Sequence, residues 1–544
     1  MNKLDRLIEY ISPEKALKRQ AARKANEQLH EPKNSGYGNY GASRTKKSMK
    51  GWIAPGGSAT EDIQDNLVML RNRSRDLYSG VPIATSALKT YRTNVVGSGL
   101  TPKPVIDAEF LGLSEEQAEE TQVQITREFN LWANSKDCDA ERLSNFWVLQ
   151  QLAYLSWLQC GDAFVVLQEK QRPGSPYSLA IQLIEADRVC TPGTTGVEIE
   201  PDDKIIGGVE VDDSGEVIAY YICNRHPQSY RSTKEMKWTR VPVIGDASGR
   251  RNILHLMIPE RIGQRRGVPM LAPVIESLKQ IGRYTDAELD AAVISSYVTW
   301  TITKEDNSSE TPLGEISDDD MFYVDKGDKH TSEMAPGALI DLPAGESMEA
   351  ITPGRPNTSF DGFVTSIARQ IGAALELPYE VLMKEFTSSY SASRGALLEA
   401  WKSFDMWRDW MVDKFCQPIY EEWLSEAVAR GRVNAPGYFT DPAIRAAYSH
   451  AQWYGPTQGQ LDPTSEVEAA ELRVQSGFST RAKESMELTG TDFKDNIRTA
   501  KRESELMKDA GLKTEISTAE NTFSGTEREK ERDEDENGKT DTER

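Results

Sequence analysis

Several short motifs place residues that could do chemistry at recognisable spacings. Cys223 and His226 form a CxxH pair that could contribute two zinc ligands, and residues 318–320 (DDD) offer carboxylates to a divalent cation. Residues 36–41 match the GxGxxG loop of dinucleotide-binding proteins, and residues 538–540 (GKT) resemble the end of a phosphate-binding P-loop. Each motif supports that chemistry only if its surroundings supply the remaining groups.

None of these motifs has the neighbours that its chemistry requires. Cys223 and His226 lack a second ligand pair at suitable spacing, and the glycines from Gly36 do not join a strand to a helix. The first glycine of a P-loop would fall at Asp533, and His255 stands inside a predicted strand as a core histidine. We therefore predict no metal, no cofactor and no enzymatic activity. A carboxylate site built from separated elements would leave no pattern and stays open as an alternative.

Composition and charge indicate a soluble, acidic protein of about two to four structural units. The chain has 544 residues, 38% of them hydrophobic, and a formal net charge of −21. A free, sequence-reading DNA-binding protein is more often basic, whereas a channel that conducts DNA without gripping it can be acidic. The five cysteines are scattered, which favours a reducing compartment. Because no apolar h-region or run of about 20 apolar residues is present, we expect no signal peptide and no membrane partner.

The elements that would position these residues predict a mixed α+β fold that is predominantly α. Helices are expected from residue 61 to Gly80, after Val81 and Pro82, from the capping pair Ser114 and Gln117, and over 145–160. Short apolar or alternating runs predict strands, and they lie at 163–168, 179–183, 209–211, 217–222 and 253–258. Residues 212–215 (DDSG) predict a hairpin between two of them.

A long helix over 271–294 has apolar residues on two faces, with charges between them. The Gly-punctuated basic turn 263–267 (GQRRG) precedes it, and Pro269 is predicted to start it at N1. A helix with two apolar faces has neighbours on two sides. This pattern favours a helix packed inside an assembly.

The second half of the chain is predicted to alternate helices with connecting segments. An acidic, partly β excursion covers 299–350, and a second helix covers 360–375. The connector 380–393 (EVLMKEFTSSYSAS) precedes a long helix over 394–430 whose aromatic residues we expect in the core. Helices follow from 462 to about 512. The basic segment 1–60 and the acidic segment 516–544 are expected to be flexible and disordered, respectively.

The order of these pieces resembles the lambda-type portal proteins of tailed bacteriophages, which act as head-to-tail connectors. The resemblance covers about residues 60–510 and rests on short motifs in a fixed order. These are 73–77 (RSRDL), 94–97 (NVVG), 161–164 (GDAF), 182–185 (QLIE) with Asp187 and Arg188, 208–210 (GVE), Ala219 and Tyr220, His255, 263–267 (GQRRG), Pro336 and Gly337, 343–346 (PAGE), 378–380 (PYE), 390–394 (YSASR), and Asp462 with Pro463.

The resemblance implies a ring, usually of twelve subunits, at one vertex of the capsid. Double-stranded DNA enters through it during packaging and leaves through it during ejection, without sequence preference. It further implies docking of the terminase large subunit and later of a head–tail adaptor, and contacts with major capsid and scaffold proteins. ATP hydrolysis belongs to terminase, which agrees with the missing P-loop. The expected location is the virion, with assembly in the host bacterial cytoplasm.

The resemblance also implies a portal fold with wing, stem, clip and crown. Carried over by order, the domains are a flexible arm (1–60), wing (61–268), first stem helix (269–298), clip (299–352), second stem helix (353–376), tunnel loop (377–393), long wing helix and connection (394–460), crown (461–515) and acidic tail (516–544).

Three groups of candidate site residues follow from this placement. The DNA-channel loop would comprise Lys384, Thr387, Ser388, Ser389, Tyr390, Ser391 and Arg394, or be an ordinary mobile surface loop. The subunit interface would include Arg265, Arg266, Glu276 and Arg283. The two adjacent arginines would either pair with acidic groups of a neighbour or face DNA at the channel mouth. The terminase or adaptor docking residues in the clip would be Asp318, Asp319, Asp320, Phe322 and Tyr323.

Two other classes of protein remain as alternatives. Another ring-forming head–tail connector component would share these features, although adaptors are usually much shorter. A DNA-processing enzyme with an unrecognised metal site is the alternative from a different class.

Overall fold

The structure, a computed structural model, describes residues 47–49, 51–52, 56–193, 204–231, 233–296, 300–304, 346–350, 360–387, 389–459 and 463–511. The chain divides into two units, Met1–Glu61 and Asp62–Arg544. Most of the predicted arm, the centre of the predicted clip and the predicted acidic tail lie outside the described residues.

The described residues are mostly helical, as the sequence predicts. The helices are, in chain order, α1 (Ala59–Gly80), α2 (Pro82–Val95), α3 (Ala108–Leu111), α4 (Glu115–Ala133), α5 (Phe146–Cys160), α6 (Ile275–Ser296), α7 (Phe360–Ala374), α8 (Tyr379–Met383), α9 (Tyr390–Met411), α10 (Gln417–Ala429), α11 (Pro442–Ser449), α12 (Pro463–Gln475), α13 (Arg481–Thr489) and α14 (Phe493–Asp509). Ser114 and Gln117 form the predicted capping box at the start of α4.

Within the described residues, the strands form four small antiparallel sheets. They are β1 (Thr101–Pro104), β2 (Ala163–Glu169), β3 (Leu179–Ile184), β4 (Ile205–Ile206), β5 (Val209–Val211), β6 (Val217–Cys223), β7 (Trp238–Pro242), β8 (Ile253–Leu256), β9 (Trp300–Lys304), β10 (Glu346–Ala350) and β11 (Ala451–Tyr454). Their orders are β3-β2-β8, β4-β5-β6-β7, β1-β11 and β10-β9. The predicted hairpin joins β5 to β6, with Gly215 at φ 91°. The mixed α+β fold class is therefore confirmed.

The main core is built from aromatic rings of α4, α5, α9 and α10. Phe129 of α4 lies edge-on to Trp423 at 5.0 Å and to Phe146 at 5.6 Å between ring centroids. Phe404 and Phe415 are fully buried. This agrees with the prediction that the aromatic residues of the helix over 394–430 lie in the core. A π-helical turn, Val412–Cys416, joins α9 to α10, so the two form one long helical path.

The first predicted stem helix, α6, begins later than expected. A 3-10 turn, Ala272–Val274, precedes it, and the α-helix starts at Ile275. The prediction that Pro269 starts the helix is wrong because Pro273 has no N–H to donate to the carbonyl of Pro269. Since a helix from Pro269 would need that bond, the chain makes a tighter turn first.

The two predicted stem helices, α6 and α7, pack against each other. Tyr284 of α6 stacks on Phe360 at 5.5 Å and meets Phe363 edge-on at 5.0 Å. Beyond the helices, β9 pairs with β10, with Trp300 opposite Ala350. The described residues between α6 and α7 therefore form one antiparallel pair of strands. Residues 305–345, which include the five predicted docking residues, lie outside the described residues.

The helices of the predicted crown, α12 to α14, are confirmed as helices but bury very little. Of the described residues 463–511, only Ala470 and Glu484 are buried. Charged pairs connect this segment to the rest of the chain. Arg498 lies 2.5 Å from Glu119 of α4, and Lys103 of β1 pairs with Asp492.

Candidate functional site

The turn that leads into α6 is held by a fully buried carboxylate, Asp162. One oxygen, Oδ1, accepts a hydrogen bond from Nη2 of Arg71 at 2.9 Å. The other, Oδ2, accepts from Nε of Arg266 at 2.7 Å and from the backbone N–H of Gly267 at 3.1 Å. A single side chain thus joins α1, the start of β2 and the turn before the first predicted stem helix.

Arg266 is a buried partner within its own chain. Its side chain is 2% exposed, and its guanidinium also donates to the backbone carbonyls of Val189 at 2.6 Å, Ala186 at 2.7 Å and Gly207. The predictions that Arg266 pairs with a neighbouring subunit or faces DNA are therefore wrong. Glycine at 263 and 267 lets the turn fold back, and this directs the side chain into the core instead of outward.

Two glycines make this arrangement possible by letting two backbone segments touch. A Cβ on Gly267 would lie 1.8 Å from the carbonyl oxygen of Gly161, and one on Gly161 would lie 2.3 Å from the carbonyl carbon of Val268. Gly161 also ends α5 at φ 84°, a conformation that L side chains rarely adopt. The contact brings the N–H of Gly267 to Asp162.

The two arginines decide the charge state of this cluster. Burial alone would raise the pKa of Asp162, but the guanidinium groups of Arg266 and Arg71 outweigh burial and hold that pKa well below its ordinary value. Burial lowers the pKa of His255, whose Nε2 lies 3.4 Å from Asp162, and the carboxylate offsets this only in part. Near neutral pH the cluster therefore holds a charged carboxylate, two cations and a neutral imidazole.

We expect His255 to make the fold less stable in mild acid. Because its pKa is lower in the folded chain than the ordinary value of 6.5, the unfolded chain takes up the proton first as the pH falls below 6.5. Stability that is present above this pH is lost below it, by at most about 1.4 kcal/mol per pH unit. Urea unfolding between pH 5 and pH 8 measures the loss.

The His255→Gln variant tests the origin of this slope. An amide can still donate to Asp162 but does not titrate, so the variant should lose less stability than the wild type between pH 6.5 and pH 5. His450 is exposed, and His450→Gln serves as the control for removing a histidine away from the cluster. Equal slopes in all three proteins would contradict the assignment.

Where this network reaches the surface, three side chains could be mistaken for a metal centre. In the described part of the chain, Glu185, Asp187 and His226 are the one group of three potential ligands close enough to share an ion. Nη1 of Arg75 lies 3.2 Å from Glu185 and also contacts Asp187, so a cation already stands between the carboxylates. Nδ1 of His226 accepts a hydrogen bond from the backbone N–H of Gln228. In a neutral ring the proton is therefore on Nε2, which lies 3.5 Å from Oδ2 of Asp187. The arrangement is that of an ion-pair network.

The predicted channel loop is shorter than the sequence indicates. Tyr379–Met383 is helical, and Lys384 follows as its C-cap in the left-handed conformation, with φ 58° and an exposed side chain. Thr387 and Ser389 are exposed, and Ser388 lies outside the described residues. Residues 384–387 and Ser389 are non-helical, and we call the segment that they bound the 384–389 connector.

The last three candidate residues of that loop belong to α9. Tyr390 begins the helix and Ser391 is in its first turn, so placing them in a connector was wrong. Arg394 lies one turn further on, and its Nη1 donates to Oε1 of Glu466 in α12 at 3.0 Å. This pair links the helix that follows the connector to the first helix of the predicted crown.

The remaining interface candidates lie at or near the surface. Arg265 is half-buried and donates to the carbonyl of Gly215 at 2.8 Å. Glu276 and Arg283 are both exposed on α6, two helical turns apart and therefore on one face. Their role at an interface stays a prediction.

The family of this chain follows from comparison with known proteins. Residues 45–408 match the model for "Phage portal protein, lambda family". The chain therefore belongs to the lambda family of phage portal proteins. This is a family of structural proteins, and the family named from the sequence motifs is confirmed.

Two relatives match most of the chain. Portal protein B of Escherichia phage lambda is 24% identical over 500 residues, which cover 87% of this chain and 90% of the relative. The portal protein of Escherichia phage N15 is 24% identical over 491 residues, which cover 85% of this chain and 89% of the relative.

Solved structures with a similar arrangement come from gene transfer agent particles. A chain from the virion of the native particle has a TM-score of 0.40 and 12% identity, over 77% of this chain and 92% of that chain. A chain from the neck of the empty particle has a TM-score of 0.41 and 13% identity over the same shares.

Proposed function

We propose that this chain is the subunit of a portal, in which twelve copies form a ring at one capsid vertex. The ring conducts double-stranded DNA into the capsid during packaging and out of it during ejection. The observation that carries the proposal is the lambda-family match over residues 45–408, with two relatives named as portal proteins along 85–87% of the chain.

The surface of α6 supports a channel wall that touches DNA weakly. Its exposed charged side chains carry both signs along the helix, and they are Glu276, Lys279, Arg283, Asp286 and Asp290. Since cations neutralise phosphates and carboxylates repel them, such a mixed row gives neither strong attraction nor strong repulsion. Tyr284 meanwhile fixes α6 against α7, so the wall is a packed helix pair.

The proposal includes the partners and domains that the family resemblance implies. Terminase large subunit docks on the segment 299–352 during packaging, and a head–tail adaptor replaces it. Major capsid and scaffold proteins surround the ring, which assembles in the host cytoplasm and remains in the virion. Within the described residues no helix is long and apolar enough to cross a membrane.

Electron microscopy of the purified full chain tests the proposal. Negative-stain images should show closed rings with a central hole. Monomers at every concentration, together with metal-dependent cleavage of DNA by the same sample, would overturn the proposal in favour of an enzyme. Rings that fail to support DNA packaging in an assembly extract would favour another connector component.

Reversing the charge of Arg283 should weaken the ring without unfolding the subunit. An exposed ion pair is worth about 0.2–1 kcal/mol, so replacing an attraction by a repulsion costs each interface about 1–2 kcal/mol. The Arg283→Glu variant should therefore dissociate at a protein concentration about tenfold higher than the wild type. Analytical ultracentrifugation measures this shift.

Lys234, which is exposed in the segment between β6 and β7, provides the matched control. Lys234→Glu changes the net charge by the same amount away from α6 and should leave the ring unchanged. Equal loss of rings in both variants would show that net charge, and not the position of Arg283, is responsible.

A further inference from the structure

The last three described helices, α12 to α14, lie against the rest of the chain with almost no buried apolar surface, and we call them the terminal helices. Ala470 is the one buried hydrophobic residue among the described residues 463–511. The other buried residue, Glu484, is bound by Arg473 of the same segment at 2.6 and 2.9 Å. Because apolar burial is the main force that holds packed elements together, another interaction must attach these helices.

Two open clefts lie between the terminal helices and the elements beneath them. The larger has a volume of about 690 Å³ and is lined by α13 on one side and by Trp401, Trp453 and Tyr454 on the other. The second has a volume of about 590 Å³ and is lined by residues of α4 and by Arg498 of α14. An interface interrupted in this way is loosely packed, and motion is the normal expectation for elements that lack a large apolar interface.

Ion pairs take the place of apolar contacts, and in the described part of the chain they occur at three positions. The pairs are Arg394 with Glu466, Lys103 with Asp492, and Glu119 with both Lys494 and Arg498. In each pair at least one side chain is more than a third exposed. Dissolved salt therefore reaches these pairs and weakens them, because the Debye length falls from about 10 Å at 0.1 M to about 3 Å at 1 M.

The contacts within the terminal helices are less sensitive to salt. Glu484 is 7% exposed and binds Arg473 through both carboxylate oxygens, which joins α13 to α12. The amide of Asn496 donates to Ser485 at 3.0 Å and to Thr491 at 2.8 Å, which joins α14 to α13. A partly buried pair is screened less than an exposed one, and hydrogen bonds between neutral groups carry no net charge to screen. The three helices therefore stay together while their attachment weakens.

We propose that the terminal helices form a salt-sensitive latch. At low ionic strength the ion pairs hold them on α4, α9 and β1, and at high ionic strength the three helices lift away together and open the 690 Å³ cleft. Residues of a single chain carry this inference, so it does not depend on the proposed ring.

The reactivity of a cysteine beneath the latch tests the proposal in the full chain. Thr457 is half-buried, and a Cβ on Gly490, at the end of α13, would lie 3.5 Å from its Cγ2. A thiol at Thr457→Cys should therefore react with N-ethylmaleimide mainly when the terminal helices lift. An exposed ion pair changes an equilibrium constant about 1.4- to 5-fold. Screening of all four pairs between 0.05 M and 1 M salt should raise the reaction rate about tenfold.

A cysteine at a distant position provides the control for direct effects of salt on the reagent. Ser229 is half-buried between β6 and β7, and the rate at Ser229→Cys should change less than about twofold. The native cysteines give little background, since four are buried and Cys190 is half-buried. Met486 lines the same cleft from α13, so Met486→Cys is a second probe if Thr457→Cys does not fold. Equal salt effects at the cleft and at Ser229→Cys would overturn the latch, even where closed rings are seen in the microscope.

Removing one carboxylate tests whether the named ion pairs are responsible. Glu119→Gln abolishes two pairs at once, so at 0.05 M salt it should speed the reaction at Thr457→Cys about two- to tenfold and reduce the further effect of salt. Glu120 is exposed and adjacent on α4, and Glu120→Gln removes the same charge as a matched control. Equal rates in the two variants would overturn the role of Glu119 and with it this form of the latch.

Discussion

Replacing Asp162 by alanine is expected to destabilise the fold by about 3–5 kcal/mol, the usual cost of removing one partner of a buried ion pair. Arg71 and Arg266 are 3% and 2% exposed, so both would stay in the core without their shared counter-charge. The N–H of Gly267 would lose its acceptor as well. Urea unfolding followed by circular dichroism measures the change in the free energy of unfolding.

Two further variants keep this prediction testable if the alanine variant does not fold. Asp162→Asn retains the shape and one acceptor oxygen but loses the charge. Its free energy of unfolding should lie between those of the wild type and Asp162→Ala. Glu185→Gln removes a carboxylate at the edge of the same network, and the side chain of Glu185 is 46% exposed. This variant should lower the free energy of unfolding by less than about 1 kcal/mol. Similar losses for Asp162→Asn and Glu185→Gln would contradict a special role for the buried carboxylate.

Most helices and several strands could be predicted because their signals are local. The capping box at Ser114, the turn residues 212–215 and the Asp–Pro step at 462–463 each act over a few residues, and the structure confirms an element at each. The signal for the late start of α6 was equally local. The sequence already contained Pro273, which prevents the helix from starting at Pro269.

The buried ion cluster could not be predicted because its partners are far apart in sequence. Arg71 and Asp162 are separated by 91 residues, and one sequence gives no register between distant elements. One signal was present. Arg71 occupies the same stripe of α1 as the buried Leu67, Ser74 and Leu77, and a charged residue on an apolar stripe requires a buried partner.

The candidate sites show a similar division between local and distant information. The chemistry of residues 384–394 indicated a cationic, hydroxyl-rich connector, but hydroxyl groups also cap and enter helices, so Tyr390 and Ser391 belong to α9. The pair between Arg394 and Glu466 depends on how α12 packs, which no local pattern specifies.

Replacing Lys384 by glycine is expected to stabilise the subunit and to impair DNA packaging. Lys384 has φ 58°, a conformation that glycine adopts without strain, so Lys384→Gly should raise the free energy of unfolding by up to about 1 kcal/mol. In the proposed ring, each copy would lose a cation that contacts the DNA backbone. We expect Lys384→Gly to lower the yield of DNA-filled capsids, and Lys384→Glu, which replaces the cation by a carboxylate that repels phosphates, to lower it further.

Arg142 supplies a matched control, because it is also a cation at φ 58° and lies between α4 and α5. Arg142→Gly relieves the same backbone strain and removes the same charge, although it also gives up an exposed pair with Asp137. Packaging should be normal in this variant. If Lys384→Gly packages as well as Arg142→Gly while rings form in both, the 384–389 connector is not the DNA contact. If both variants fail equally, the cause is the loss of charge and not its place at the connector.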